Sequence, residues 1–127
     1  MDFQAPPNWV VTPSIAGREL WINPHDLYEV IMVQRPGGPM TTVAKPIVYG
    51  HHVMFSSNAV TICGSHQAVL SNFRMYSKGH RSEVDMIDTS WNGEVMRALY
   101  FRPVGKTPNA AAERSIRSLC LKKASDT

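Results

Sequence analysis

The chain has 127 residues, of which 43% are hydrophobic and 18% are charged, and its formal net charge is +3. This length suits one domain that buries a core without metal or disulfide staples, and the composition excludes a disordered chain. No apolar run approaches the ~18 residues of a spanning helix, so we expect no association with a membrane.

Two features of the sequence bear on its compartment. Cys63 and Cys120 are the only cysteines, which is too few for a disulfide framework. The N-terminus, Met-Asp-Phe-Gln-Ala-Pro-Pro, lacks the basic and apolar regions of a signal peptide. We therefore expect a reducing compartment, cytoplasmic or nuclear, and no secretion.

The charges are unevenly distributed along the chain. Residues 1–94 carry eight acidic and six basic residues, whereas residues 95–127 carry seven basic and two acidic ones. Clustered positive charge attracts polyanions at a distance. The C-terminal quarter is therefore the first place to look for a binding surface.

The N-terminal part predicts an extended arm followed by strands. Four proline and glycine positions in residues 1–18 restrain the backbone, so we expect an arm with at most one short edge strand, anchored by Trp9. A β-rich core then covers residues 19–104. Residues 19–22 predict a strand, and Asn23 with Pro24 predicts a single capped turn that leads into a buried strand over 28–34. One continuous helix is the alternative for that segment.

The middle of the chain carries the densest apolar patterning. Pro36, Gly37, Gly38 and Pro39 end the preceding strand, and residues 41–49 predict an edge strand interrupted by Pro46. Residues 53–56 and 59–62 predict two strands joined by a Ser57–Asn58 turn. For residues 65–77 the apolar spacing and Ser65 as N-cap favour a short helix over a strand.

The clearest local signal is Asn92–Gly93, which predicts a two-residue hairpin turn. Such a turn pairs residues whose numbers sum to 185. Opposite charges then face each other twice, as Asp88 with Arg97 and as Glu83 with Arg102. A slip of one residue would destroy both matches, so the register is a sharp prediction.

The last predicted element is a helix over 107–122, with Thr107 as N-cap and Pro108 as its first residue. Its apolar face comprises Ala112, Ile116, Leu119 and Cys120, and basic residues point away from that face. The chain is therefore expected to be a single α+β domain, residues 1–127, mainly an antiparallel β-sheet with an amphipathic C-terminal helix.

Three side chains suggest a metal or nucleophile site. The predicted turn places His52 opposite Cys63, with His66 three residues beyond. Two imidazoles and a thiolate can hold zinc, with His80, His51 or water as the fourth ligand, or can form a catalytic Cys-His pair. The spacing matches no standard zinc finger, and a catalytic pair also needs an orienting group and an oxyanion site. A buried cysteine and two ordinary histidines are the alternative, and the expectation is no cofactor.

Acid–base catalysis is a further possibility at Asp85 and Asp88, which lie near His80 in the sequence. The predicted hairpin already gives Asp88 a partner in Arg97. We therefore expect the protein to act by binding rather than by catalysis.

The leading functional prediction is binding of RNA or DNA without sequence specificity. Positive charge and reach are all that contact with phosphates requires. The candidate residues are the basic side chains of the C-terminal part: Arg102, Lys106, Arg114, Arg117, Lys122 and Lys123.

A structural or protein-interaction subunit, including a homo-oligomer, is the second interpretation. Seven methionines, three tryptophans and a low charged fraction suit adaptable apolar contacts with a protein partner. A small accessory protein of a virus or phage would fit either binding interpretation.

Overall fold

The computed structural model describes residues 3–12, 18–34, 52–77, 79–91 and 93–120. Within these ranges, seven strands form one antiparallel sheet in the order β1-β2-β3-β7-β6-β5-β4. The elements are β1 (Val10–Val11), β2 (Arg18–Asn23), β3 (Asp26–Gln34), β4 (His52–Ile62), β5 (His66–Ser77), β6 (His80–Trp91), β7 (Glu94–Pro103) and α1 (Ala110–Ile116). The prediction of a mainly antiparallel sheet with a helix near the C-terminus is confirmed. Loop 35–39 and the strand predicted over 41–49 lie outside the described residues.

The β6–β7 hairpin has the predicted register. Its pairs run from Ser82 with Pro103 to Trp91 with Glu94, so that partner numbers sum to 185 throughout. Gly93 has a φ of 81°, a conformation that glycine adopts without steric cost. The local turn chemistry therefore determined the pairing of the two strands.

The β2–β3 connection is a tight hairpin turn and contains no helical turn. Asn23 accepts a hydrogen bond at Oδ1 from the His25 N–H at 2.9 Å, so its side chain stabilises a turn instead of capping a helix. β3 begins at Asp26 and pairs with both β2 and β7. The strand prediction for 28–34 is confirmed, and the alternative of a continuous helix is wrong.

The β4–β5 hairpin corrects two predictions. Ser57 and Asn58 lie inside the continuous strand β4, and the helix expected over 65–77 is instead β5, which pairs with both β4 and β6. The turn is at residues 63–65, where Cys63 has a φ of 53° and Gly64 a φ of 82°. Pairing along two neighbouring strands outweighs a weak helical spacing, because strand preference depends mainly on the tertiary context.

Helix α1 is shorter than predicted and starts later. Asn109 is the N-cap: its Oδ1 accepts hydrogen bonds from the N–H groups of Ala111 at 2.9 Å and Ala112 at 3.2 Å. An asparagine amide oxygen caps a helix well, so Thr107 is not needed for this role. Residues 121–122 of the predicted helix lie outside the described residues. Within the described residues, no helix combines the length and apolarity that crossing a membrane requires.

Buried apolar clusters lie on both faces of the sheet. The larger cluster joins the inner face of α1 to one face of the sheet, and Trp9 packs into it with its ring centroid 6.5 Å from that of Tyr100. The smaller cluster lies on the opposite face and contains Phe73, Val84, Met86 and Leu99. Residues that alternate along β5, β6 and β7 therefore point into different clusters, and the face under α1 is the one that carries the candidate sites.

Candidate nucleic-acid interface

Arg102, the first residue of the predicted basic surface, is buried. Its side chain is 5% exposed and forms salt bridges with Asp85 at 2.7 Å, with Glu83 at 3.0 Å and with Glu113 at 3.9 Å. A guanidinium surrounded in this way has its charge compensated inside the protein. Arg102 therefore belongs to an internal network and does not present a free charge to a phosphate.

Lys106 is also paired internally. Its Nζ donates a hydrogen bond to Asp26 Oδ2 and lies 3.5 Å from Glu29 Oε1. The hydrogen bond to Asp26 raises the pKa of Lys106 and, in turn, lowers the pKa of Asp26. The lysine thus ties the segment after β7 to the start of β3.

The remaining predicted residues are divided between the exposed surface and the undescribed tail. Arg114 and Arg117 are exposed, and Arg114 lines a cleft between α1 and the N-terminal arm together with Pro6 and Pro7. Lys122 and Lys123 lie outside the described residues. Of the four described residues of the predicted surface, two are therefore held in ion pairs and two are free to meet a ligand.

The predicted metal site is not assembled. Cys63 and Cys120 form a disulfide across a sequence separation of 57 residues, so Cys63 has no thiolate to offer. His52 pairs with Met75 in the sheet, and His66 Nε2 lies 2.9 Å from the carbonyl oxygen of Ser90. No group of three His, Cys, Asp or Glu side chains suited to a metal occurs in the described residues. The disulfide also removes one of the two observations behind the expectation of a reducing compartment.

A polar network lies on the sheet under α1, around Asp85. Its Oδ2 accepts from Arg102, and its Oδ1 accepts from Asn72 at 2.5 Å. Burial opposes the ionisation of Asp85, but hydrogen bonds from Glu113, Asn72 and Arg102 outweigh it and lower its pKa. Burial and the hydrogen bond to Asp85 raise the pKa of Glu113 to about 8. The two carboxyl groups therefore hold one proton between them near neutral pH.

A second buried group links the start of β3 to the start of α1. Tyr100 donates a hydrogen bond from its hydroxyl to Glu29 Oε2 and accepts one at 3.0 Å from the N–H of Asn109. Asn23 donates to the other oxygen of Glu29 at 2.8 Å. Burial and the hydrogen bond to Glu29 raise the pKa of Tyr100. This chain of contacts has a structural role, because all its polar atoms are satisfied within the protein.

The exposed part of the same face carries two pairs of an arginine and an aromatic ring. Arg74 lies over Phe55, with its Cζ 5.1 Å from the ring centroid, and Arg81 lies over Tyr76 at 5.3 Å. Phe55 is 51% exposed and Tyr76 is 36% exposed. We call these four residues the aromatic–arginine surface.

The strand registers explain why these residues share a face. Arg74 and Tyr76 are two positions apart on β5, and Tyr76 pairs with Arg81 of β6. Phe55 lies at the irregularity between Met54 and Ser56, where β4 shifts its register against β5. A β-bulge re-aims side chains at the edge of a sheet, and this one places Phe55 beside Arg74.

Glu83 connects the aromatic–arginine surface to the buried network. Its Oε1 lies 3.2 Å from Arg74, and its Oε2 lies 3.0 Å from Arg102. Since Arg102 is held by two further carboxylates, Glu83 is fixed in position and in turn orients Arg74. The buried charges therefore act as a support for the exposed ones.

A helix over residues 65–77, as expected from the sequence, does not bring these four side chains together. On a helix, Arg74 and Tyr76 point in different directions, whereas on a strand they lie on one face. The alternation of Asn72, Arg74 and Tyr76 was the signal that could have revealed it.

Comparison with known proteins supplies no relative from which a function could be carried over. No protein-family model matches the chain, and no curated protein is significantly similar to it. The function is therefore inferred from the geometry of the described residues.

Proposed function

We propose that this protein binds single-stranded nucleic acid with little sequence preference, and that the aromatic–arginine surface is the contact site. The observation that carries the proposal is the pair of exposed rings, Phe55 and Tyr76, each with a guanidinium stacked on it on one face of the sheet. The proposal keeps the class of ligand that the sequence predicts and moves the site from the C-terminal basic residues to the sheet.

The chemistry of these side chains suits a single strand. Bases stack on aromatic rings whatever their identity, and a guanidinium can stack or contact a phosphate. In a cation–π pair the planar guanidinium lies over the ring, and its N–H groups can still reach a phosphate oxygen. Two such pairs on neighbouring strands would offer alternating contacts to bases and backbone.

The electrostatics of the chain support the same ligand. The net charge of +3 favours the approach of a polyanion, and the exposed Arg114 and Arg117 add to that long-range attraction. A duplex would bury its base faces and so leave the rings without partners, which is why a single strand is the better match.

The first test is fluorescence anisotropy with a labelled oligonucleotide of about 10 nucleotides at low salt. Tyr76→Ala should weaken binding by about 1–3 kcal/mol, because one stacked base loses its platform. Affinity should fall steeply as salt rises, and Arg81→Glu should make this dependence shallower, because a single strand contributes a slope of about −0.7 per neutralised phosphate.

Two matched controls separate the sheet from the C-terminal end. Arg117→Glu makes the same change of charge as Arg81→Glu away from the aromatic–arginine surface, and Leu27→Ala removes a side chain that is 70% exposed at the start of β3. Both variants should bind nearly as well as the parent. An effect of Arg117→Glu as large as that of Arg81→Glu would return the site to the C-terminal residues.

Light scattering with and without the oligonucleotide completes the design. It gives the stoichiometry of the complex and the mass of the free protein, and the mass tests the assembly interpretation directly. Absence of any retained oligonucleotide at low salt would rule out the proposed function.

A further inference from the structure

The two edges of the described sheet differ in how they are protected. One edge is β1, which is only two residues long and is flanked in the sequence by Pro6, Pro7 and Pro13. The other edge is β4, which among the described strands pairs with β5 alone. Proteins use short edge strands and prolines to prevent further strand pairing. The edge at β1 is therefore protected, whereas β4 is a long edge strand.

The sequence of β4 lacks the charges that usually protect an edge. No Asp, Glu, Lys or Arg occurs between Lys45 and Arg74, a segment that contains all of β4 and its turn to β5. A lysine on an edge strand opposes pairing, because its charge would lose contact with water. Residues 55–59 are exposed, and helix α1 packs mainly on β6 and β7, away from this edge. The edge is therefore both uncharged and accessible.

One part of β4 is regular enough to accept another strand. The bulge at Phe55 interrupts the register, whereas from Ser56 to Ile62 the pairing with β5 is continuous. Because a bulge disrupts the ladder locally, the segment available for pairing is 56–62. Backbone N–H and C=O groups alternate in direction along a strand, so about half of those in this segment point away from β5. The segment is a template for an added antiparallel strand.

We infer that segment 56–62 pairs antiparallel with the same segment of a second copy of this chain, so that the two sheets join into one. An antiparallel pair of identical strands is itself two-fold symmetric, and an axis perpendicular to the sheet at Ala59 produces this pairing. Ala59 then faces its own counterpart, and Ser57 faces Thr61 of the second copy twice. Hydrogen bonds between serine and threonine across strands stabilise such a pair. Because the edge at β1 is protected, assembly stops at two chains.

The charge and size of the side chains favour a second copy over an unrelated peptide. A symmetric antiparallel pair brings residues close to their own counterparts, so a charge in the segment would meet a like charge. Residues 56–62 read Ser-Ser-Asn-Ala-Val-Thr-Ile, without a charge and with small side chains in most positions. Capture of a charged peptide would need a complementary charge, which this segment does not have. The segment is therefore compatible with its own copy.

The inference depends on β4 and not on the proposed function, and the two are compatible. A two-fold axis perpendicular to the sheet keeps the α1 faces of both copies on the same side. The dimer therefore presents two aromatic–arginine surfaces on one side of a continuous sheet.

The test is sedimentation equilibrium of the full chain, without nucleic acid, over a range of protein concentrations. The mass should rise from that of one chain to that of two, with a dissociation constant of about 1–100 µM, because a pair of short strands buries less area than a standard interface. The mass of one chain at every concentration up to about 1 mM would overturn the inference and leave the edge to a strand of another protein. A mass that continues to rise beyond two chains would also contradict it.

Two variants of Ala59 test the register. Ala59→Lys should weaken dimerisation about fivefold or more, because two ammonium groups then meet at the axis, and Ala59→Glu should do the same with two carboxylates. An equimolar mixture of the two variants should dimerise at least as tightly as the parent, since opposite charges then face each other. This recovery also shows that both variants are folded.

A control variant adds the same charge away from the edge. Leu27→Lys changes a side chain that is 70% exposed on β3 and should dimerise like the parent. An equal loss in Leu27→Lys and Ala59→Lys, or no recovery in the mixture, would overturn pairing centred on Ala59.

The two proposals can fail separately. Tyr76→Ala, which should weaken the oligonucleotide, should leave the mass of the dimer unchanged. If the chain dimerises but no oligonucleotide binds, the proposed function is wrong and the dimer stands. If the oligonucleotide binds to a chain that is a monomer at every concentration, the dimer is wrong and the proposed function stands.

Discussion

Arg102 and Arg81 lie on neighbouring strands and on the same face of the sheet, yet their surroundings differ completely. Arg102 is 5% exposed and contacts three carboxylates, whereas Arg81 is exposed and stacks on Tyr76. Helix α1, which packs on β7 and β6, brings Glu113 to Arg102. The same residue type therefore supports the fold in one place and can meet a ligand in the other, and coverage by α1 makes the difference.

The difference also shows how the two regions cooperate. Glu83 bridges Arg102 and Arg74, so the buried network sets the orientation of an arginine in the aromatic–arginine surface. A fully paired buried network is rigid. Glu83 therefore restricts the rotamers of Arg74 and keeps its guanidinium over the ring of Phe55. We expect substitutions in the buried network to alter the aromatic–arginine surface. Substitutions in the aromatic–arginine surface should leave the buried network intact.

The largest expected effect comes from removing the buried charge. Arg102→Met leaves the buried Asp85 without its cation and Glu83 with Arg74 alone, and breaking a buried ion pair in this way costs about 3–5 kcal/mol of the free energy of unfolding. Urea unfolding followed by circular dichroism measures this loss. Arg81→Met is the matched control and should change stability by only about 0.5 kcal/mol. Equal losses in the two variants would contradict the contrast between buried and exposed arginines.

The next expected effect comes from the loss of the Cys63–Cys120 disulfide. The Cys63–Cys120 disulfide joins the β4–β5 turn to the segment after α1. Closing a loop of this length restricts the unfolded chain, and its removal should cost about 2–4 kcal/mol. The measurement is urea unfolding with and without a thiol reductant. The double variant Cys63→Ser with Cys120→Ser should show the lower stability in both conditions, and insensitivity of the parent to reductant would contradict the disulfide.

The third expected effect is a pH dependence at Glu113. The folded chain keeps a proton on Glu113 up to a pKa of about 8, against 4.5 for an ordinary glutamate. The folded state therefore binds more protons between these values, and the free energy of unfolding should fall as pH rises through that window. Asp85, whose pKa is lowered from 3.8, adds the opposite dependence in more acidic solution.

Glu113→Gln isolates this contribution. Glutamine can still donate to Asp85 but does not ionise, so the fall in stability between pH 4.5 and about 8 should become shallower. Thermal unfolding at a series of pH values measures the slope. Glu94→Gln, an exposed position at the start of β7, is the control and should retain the slope of the parent. An unchanged slope in Glu113→Gln would show that this carboxyl does not link α1 to the sheet.

The parts of the fold that could be predicted from the sequence depend on interactions between residues that are close together in the chain. The β6–β7 register follows from Asn92–Gly93, and it brings Asp88 to Arg97 at 3.0 Å and Glu83 to Arg102 as expected. The β4–β5 hairpin was not predicted because Ser65 resembles an N-cap and the true turn places a non-glycine residue, Cys63, at positive φ. With β5 read as a helix, the aromatic–arginine surface could not be predicted.

The sequence by itself determined the mainly antiparallel architecture and the β6–β7 pairing, because turn chemistry and cross-strand charges act over a few residues. Only the tertiary structure decided which cations remain exposed, that Cys63 meets Cys120, and that Phe55, Tyr76 and Arg81 lie together. Burial and long-range contacts depend on how strands and helix pack, and the free energy of a charged side chain depends on that packing more than on its neighbours in sequence.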